Sequence, residues 1–182
     1  VGANAVDTIV QNRKDAPYKS IFDLAKKIDL RAANKKAFES LAYAGGFDCF
    51  AETHRAQYFH IEGEGITFLE KAVRFGSKFQ ENENSSQVSL FGEASDVQIA
   101  EPIIPACEEW STMEKLSREK EVVGIYISGH PLDDFKYTIK NFCSKFEVLK
   151  NAQNLIGKTL LFGGIVTKVD HRTTKMNKGW GI

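Results

Sequence analysis

A chain of 182 residues with 42% hydrophobic residues and 24 basic against 24 acidic side chains is long enough for one or two modest cores and reads as soluble and globular. No apolar run approaches the length of a membrane span, and Val1-Gly2-Ala3-Asn4 lacks the charged start and apolar run of a signal peptide, so a cytoplasmic location without a membrane partner is expected. Cys49, Cys107 and Cys143 are odd in number and far apart, with no CxxC pair and no His at ligand spacing; neither a disulfide framework nor a zinc site is expected.

The charge balance hides segregation along the chain. Between Ser77 and Trp110 a single base, Lys78, faces seven acids, a composition that repels nucleic acid. From Lys136 onward nine bases face only Glu147 and Asp170, an excess suited to phosphates.

From the N-terminus, Ala5, Val6, Ile9 and Val10 recur at one-turn spacing and predict a helix that begins right after Gly2. Ser20 with Asp23 three residues on is an acidic variant of the capping box and opens a second helix carrying Ile21, Leu24 and Ile28 inward. A third, from about Asn34, places Ala37, Phe38, Leu41 and Ala44 on one face and stops at Gly45-Gly46. Short helices joined by glycine turns resemble a tandem helix-hairpin-helix module, in which backbone N–H groups at a helix start hold a DNA phosphate. On that reading Gly2, Ala3 and Asn4 are the donors of the first hairpin and Gly45 and Gly46 those of the second, with Lys35 and Lys36 adding charge. The residue pattern alone also fits an ordinary helical hairpin with glycine as its C-cap.

A further helical stretch is expected from about Thr53, broken at Gly63 and Gly65 and resuming with Ile66, Leu69, Ala72 and Val73 on one face. His54 and His60 have no third ligand and read as packing residues. From Gly76 onward the polar composition predicts a linker that closes at Pro102 and Pro105. Within it Gln87-Val88-Ser89-Leu90-Phe91 sets two large apolar side chains among Ser, Asn, Glu and Gly. Either Leu90 and Phe91 tack the loop onto the body, or they are offered to a partner. The peptide resembles the one by which bacterial DNA polymerases dock onto the sliding clamp, with Gln87 at the pocket entrance, a small polar residue at Ser89, and Leu90 and Phe91 in the apolar pocket.

Ser111 and Glu114 form a capping box, Trp110, Met113, Leu116 and Val123 line a helix face, and Gly129 with Pro131 is expected to end that helix. His130 lacks a fixed nucleophile or carboxylate partner and reads as a turn residue. Near the C-terminus Leu160, Phe162, Ile165, Val166 and Val169, interrupted by Gly163-Gly164, predict a bent strand, with Asn177-Lys178-Gly179 turning into a second.

The order Trp110, Glu119-Lys120-Glu121, Gly124-Ile125-Tyr126-Ile127-Ser128-Gly129-His130-Pro131-Leu132 closely resembles the alpha-subunit family of bacterial replicative DNA polymerase III. Tyr18-Lys19-Ser20-Ile21-Phe22-Asp23-Leu24, Asp29-Leu30, Asn34-Lys35 and Ala44-Gly45-Gly46-Phe47-Asp48 match the same family in order and spacing, so the resemblance covers nearly the whole chain.

That resemblance implies a mostly α fold of tandem helix-hairpin-helix-like helices with a short β segment from a truncated OB barrel. The expected divisions are a helical module at 1–76, an acidic linker with the clamp-binding peptide at 77–107, a helix and connection at 108–150, and the beginning of an OB domain at 151–182. It implies a parent DNA-directed DNA polymerase (a nucleotidyltransferase requiring magnesium) acting in chromosomal DNA replication. This chain shows no cluster of catalytic carboxylates and is expected to lack catalysis and cofactor of its own, tethering the polymerase to duplex DNA and to the clamp. Other replisome subunits are expected partners, and Lys168, Arg172, Lys175 and Trp180 are the residues for single-stranded template. A non-catalytic repair or recombination protein and a protein-interaction scaffold are the alternatives.

Overall fold

The computed structural model describes the backbone of residues 1–14, 16–63, 65–88 and 99–181, with side chains throughout except at 84–88, 152, 180 and 181. The chain divides into two units, Val1–Ser128 and Gly129–Ile182.

The first unit is helical: α1 (Ala3–Arg13), α2 (Ile21–Lys27), α3 (Lys35–Tyr43), α4 (Arg55–Phe59), α5 (Phe68–Val88) and α6 (Thr112–Val123). Local chemistry sets most of the starts. Ser20 Oγ caps α2 by accepting from the Asp23 N–H at 3.1 Å, while Asp23 Oδ2 accepts from the N–H of Lys19, the residue before the cap, at 3.0 Å. Asn34 Oδ1 accepts from the Ala37 N–H in α3, and Ser111 Oγ from the Glu114 N–H in α6. Helix α3 ends in a Schellman turn, with the N–H of Gly46 on Leu41 O at 2.7 Å and that of Gly45 on Ala42 O at 3.2 Å.

The core is built from α2, α3, α4 and α5. Ile21, Leu24, Ile28, Phe38, Tyr58, Phe68 and Leu69 are the largest of its wholly buried side chains, and the Phe22 ring meets Phe68 and Phe75 edge-on at 5.8 and 5.6 Å. Of α1 only Ala5 is buried, whereas Val6 and Val10 are 44% and 36% exposed. The apolar stripe read from the sequence there is covered only at Ala5 and, in part, at Ile9.

Two expectations about helix ends are corrected. The linker does not begin at Gly76: α5 runs through it to Val88, so that 77–88 is helix. Gly76 is buried because α5 crosses α2 there, and a Cβ would lie 2.5 Å from the Ala25 carbonyl oxygen. The Gln80 amide nitrogen then donates to the carbonyls of Ala25, Lys26 and Ile28, covering acceptors that the end of α2 leaves open. Helix α6 ends at Gly124, five residues before Gly129, because Gly124 takes the left-handed conformation (φ 87°) and donates to Lys120 O. Its buried face is Leu116 and Glu119, and Met113 and Val123 are about half exposed.

In the second unit a short 3-10 turn at Asp133–Phe135 leads into α7 (Lys136–Phe142), a 3-10 segment follows at Phe146–Leu155, and β1 (His171–Thr173) pairs antiparallel with β2 (Gly179–Gly181). The turn expected at Asn177-Lys178-Gly179 is present, with Asn177 at φ 57°. The bent strand expected over 160–169 is not formed, and the described residues contain no barrel. That stretch is held by other contacts: Leu161 O accepts from the Ser144 N–H, Phe162 stacks on Phe146 at 5.0 Å, and Gly163 lies close against Ile139 of α7.

Candidate nucleic-acid interface

The start of α1 is open. Gly2 is its N-cap in an extended conformation, no side chain caps it, and a Cβ at Gly2 would meet nothing within 4 Å. Gly2, Ala3 and Asn4 are all exposed. First-turn N–H groups have no partner inside a helix, so this end presents donors and the positive pole of the dipole to solvent.

The second hairpin differs. The N–H groups of Gly45 and Gly46 are committed to α3 carbonyls, and Gly45, at φ 80°, lies against the Arg55 guanidinium; a Cβ there would sit 2.2 Å from Nη2. A side chain at Gly45 would therefore be strained by the backbone conformation and would have to displace the Arg55 guanidinium. Of the two lysines nearby, Lys35 is paired with Glu70 at 2.5 Å, and Lys36 is exposed.

Arg55 was not singled out by sequence, and it organises this region. It is 5% exposed and grips Asp48 with two nitrogens, Nε to Oδ1 at 2.9 Å and Nη2 to Oδ2 at 2.6 Å. Its Nη1 donates to Glu119 Oε1 at 2.7 Å, and Glu119, wholly buried, accepts the backbone N–H groups of Ile127 and Ser128 on Oε2 at 2.9 and 3.0 Å. Burial opposes ionisation of Glu119, yet the hydrogen bonds from Ser128, Arg55 and Ile127 outweigh it and hold the carboxyl down at about 2. The hydrogen bond to Asp48, opposed by burial and seconded by Glu119, raises the Arg55 pKa. The signal available in the sequence was Glu119 three residues after Leu116, a carboxylate on the inward face of an amphipathic helix.

Beside this cluster Tyr43 stacks on Phe59 at 3.9 Å, Trp110 closes the stack at 5.5 Å from Phe59, and the Arg118 guanidinium lies over Tyr43 and Trp110. These rings fasten α6 to α3 and α4.

The predicted clamp peptide begins inside α5 with Gln87, and Ser89, Leu90 and Phe91 lie outside the described residues. What flanks it is described. Past residue 98, Ile99 and Ile104 pack on the core, Lys26 pairs with Glu101 at 2.8 Å, and Gln57 donates to Pro105 O at 2.8 Å. In the second unit Lys168 pairs with Asp170 at 3.4 Å, Arg172 and Lys175 are exposed, and Trp180 is the register partner of Arg172. His130 is a turn residue, its Nδ1 accepting from the Leu132 N–H. Among the described residues no group of three or more His, Cys, Asp or Glu could hold a metal ion, and no helix is long and apolar enough to cross a membrane.

Comparison with known proteins gives two findings. A family described as a helix-hairpin-helix motif matches residues 1–58, the stretch from α1 through most of α4. DNA polymerase III subunit alpha of Campylobacter jejuni is 38% identical over 181 residues, covering 94% of this chain, and those of Treponema pallidum and Borreliella burgdorferi are 30% and 32% identical over 96% and 97% of it. The chain spans 14 to 15% of the length of these relatives.

Proposed function

We propose that this chain, which belongs to the DNA polymerase III alpha-subunit family as a short segment of it, is the tethering part of a replicative DNA polymerase. It holds duplex DNA by its backbone and presents Gln87, Ser89, Leu90 and Phe91 to a sliding clamp. The whole protein is then a cytoplasmic, magnesium-dependent DNA polymerase working with other replisome subunits, and its chemistry lies in other segments.

The observation that carries this reading is the double anchoring of the peptide's flanks. On one side α5 is rooted in the core by Phe68, Leu69, Ala72 and Phe75, and on the other the chain returns through Ile99, Ile104 and the Lys26–Glu101 pair to the same body. Both flanks therefore belong to the unit that carries the helix-hairpin-helix match. Burying Leu90 and Phe91 in a partner pocket contributes roughly 1.5–3 kcal/mol each. Contacts of that size give modest affinity alone, and they become effective when duplex and clamp hold one molecule together at an effective concentration on the order of millimolar.

For the duplex, the open start of α1 at Gly2, Ala3 and Asn4 is the better donor set, because the N–H groups of Gly45 and Gly46 already serve α3. Lys36 and, after release from Glu70, Lys35 add nonspecific attraction. Lys168, Arg172, Lys175 and Trp180 are the surface proposed for single-stranded template.

The test is calorimetry of the chain with a bacterial sliding clamp, wild type against the Leu90→Ala, Phe91→Ala double variant, with duplex binding followed in parallel at two salt concentrations. Clamp binding is expected to vanish in the variant while salt-sensitive duplex binding persists. Wild type that ignores the clamp would overturn the tether, and duplex affinity lost along with clamp binding would make the pair part of the fold.

A further inference from the structure

Glu119 uses both carboxylate oxygens on partners far apart in sequence. Oε1 takes Arg55, whose guanidinium lies directly against the glycine turn at Gly45 and holds Asp48 of the same turn; Oε2 takes the N–H groups of Ile127 and Ser128. Ser128 is the last residue of the first unit. Asp48, at the other end, is half exposed, whereas Arg55 and Glu119 are sealed from water. A continuous run of charge-assisted hydrogen bonds thus joins a surface turn to the point where the chain leaves the first unit.

We propose that Asp48, Arg55 and Glu119 form a coupling relay, so that a change at the 45–48 turn is transmitted to the backbone at 127–128. The physical ground is that neither end can move alone. The Gly45 turn has no room to shift toward Arg55, Arg55 is held from both sides, and tilting Glu119 to follow it breaks two backbone bonds whose donors sit beside a buried carboxylate. Leu116, buried one turn before Glu119, keeps α6 from adjusting as a whole. Asp48, Arg55 and Glu119 act as positioning residues. Their coupling is reciprocal, so whatever engages the 45–48 turn biases the exit at 127–128 and the reverse holds equally.

Amide hydrogen exchange on the whole chain tests it, with Gly45→Ala and Arg55→Gln as perturbations and the amides of Leu24 and Leu69 as monitors of the core. Neither substitution alters a group bonded to the 127–128 amides. Exchange at Ile127 and Ser128 is expected to rise roughly tenfold in both variants while Leu24 and Leu69 keep their protection. Unchanged exchange at 127–128 in folded variants overturns the relay. If either variant loses core protection as well, Asp48→Asn, at the half-exposed end, decides by the same readout: a rise of about threefold or more at 127–128 supports the relay, and none refutes it.

Discussion

Gly76 offers a test in which two physical effects oppose each other and the sign decides. Alanine is favoured over glycine inside a helix by about 0.8–1 kcal/mol, so in a solvated helix or linker Gly76→Ala would be neutral or stabilising. In the structure the new Cβ would lie 2.5 Å from the Ala25 oxygen and 2.7 Å from both its carbonyl carbon and its Cβ. Two of those three atoms are backbone, so no side-chain rotation relieves the contact, and α2 and α5 must separate where they cross. Overpacking of this kind costs about 1–3 kcal/mol, and backbone contacts place the site at the upper end. Subtracting the propensity gain leaves a net loss of about 1–2 kcal/mol, or a fall of roughly 3–8 °C in the Tm of the first unit. Calorimetric scans with far-UV circular dichroism measure it. A Tm equal to or above wild type would refute the crossing at Gly76 and restore a linker there.

Glu119 carries a pH dependence with a definite sign. Its folded pKa is lowered from 4.5 to about 2, so its contribution is complete above pH 4.5 and is lost as the pH falls through about 2. The size is about 3 kcal/mol, to be read as a larger drop in urea midpoint between pH 5 and 2.5 for wild type than for Glu119→Gln. Gln80→Leu removes the donor shared by the Ala25, Lys26 and Ile28 carbonyls; a loss of about 1–2 kcal/mol is expected from the same urea curves, and an unchanged midpoint would mean that water replaces the amide fully.

The helices with polar caps were legible. Ser20, Asn34 and Ser111 each satisfy an N–H three residues on, a bond local in sequence that needs no tertiary context. Glycine has two opposite meanings in this chain. At Gly124 a glycine ends a helix by its positive φ, whereas Gly76 permits a helix to continue against a neighbour, and the letter is the same. The polar composition after Gly76 predicts a linker, yet α5 continues in that direction once Phe68, Leu69 and Phe75 anchor it. The expected strand over 160–169 failed for a related reason, since strand assignment depends on a hydrogen-bonded neighbour that one segment cannot specify. Of the candidate site, the open start of α1 and the glycine turn were visible in the sequence, and the commitment of Gly45 and Gly46 to α3 was not.

The buried Arg55–Glu119 pair is not explained by stability alone. A buried ion pair costs desolvation that its attraction only partly offsets, and apolar replacements of similar volume are frequently as stable. Here an apolar residue at 119 would leave the N–H groups of Ile127 and Ser128 without their acceptor, and one at 55 would abandon Glu119 as a lone buried charge and Asp48 without its bidentate partner. Leucine at both positions would remove the charge problem and still orphan two amides, and only a carboxylate has enough acceptor capacity to serve Arg55 and both amides from one side chain. The pair is therefore required by the turn it holds more than by the core it sits in, and this gives it the geometry of a relay rather than of a surface ion pair.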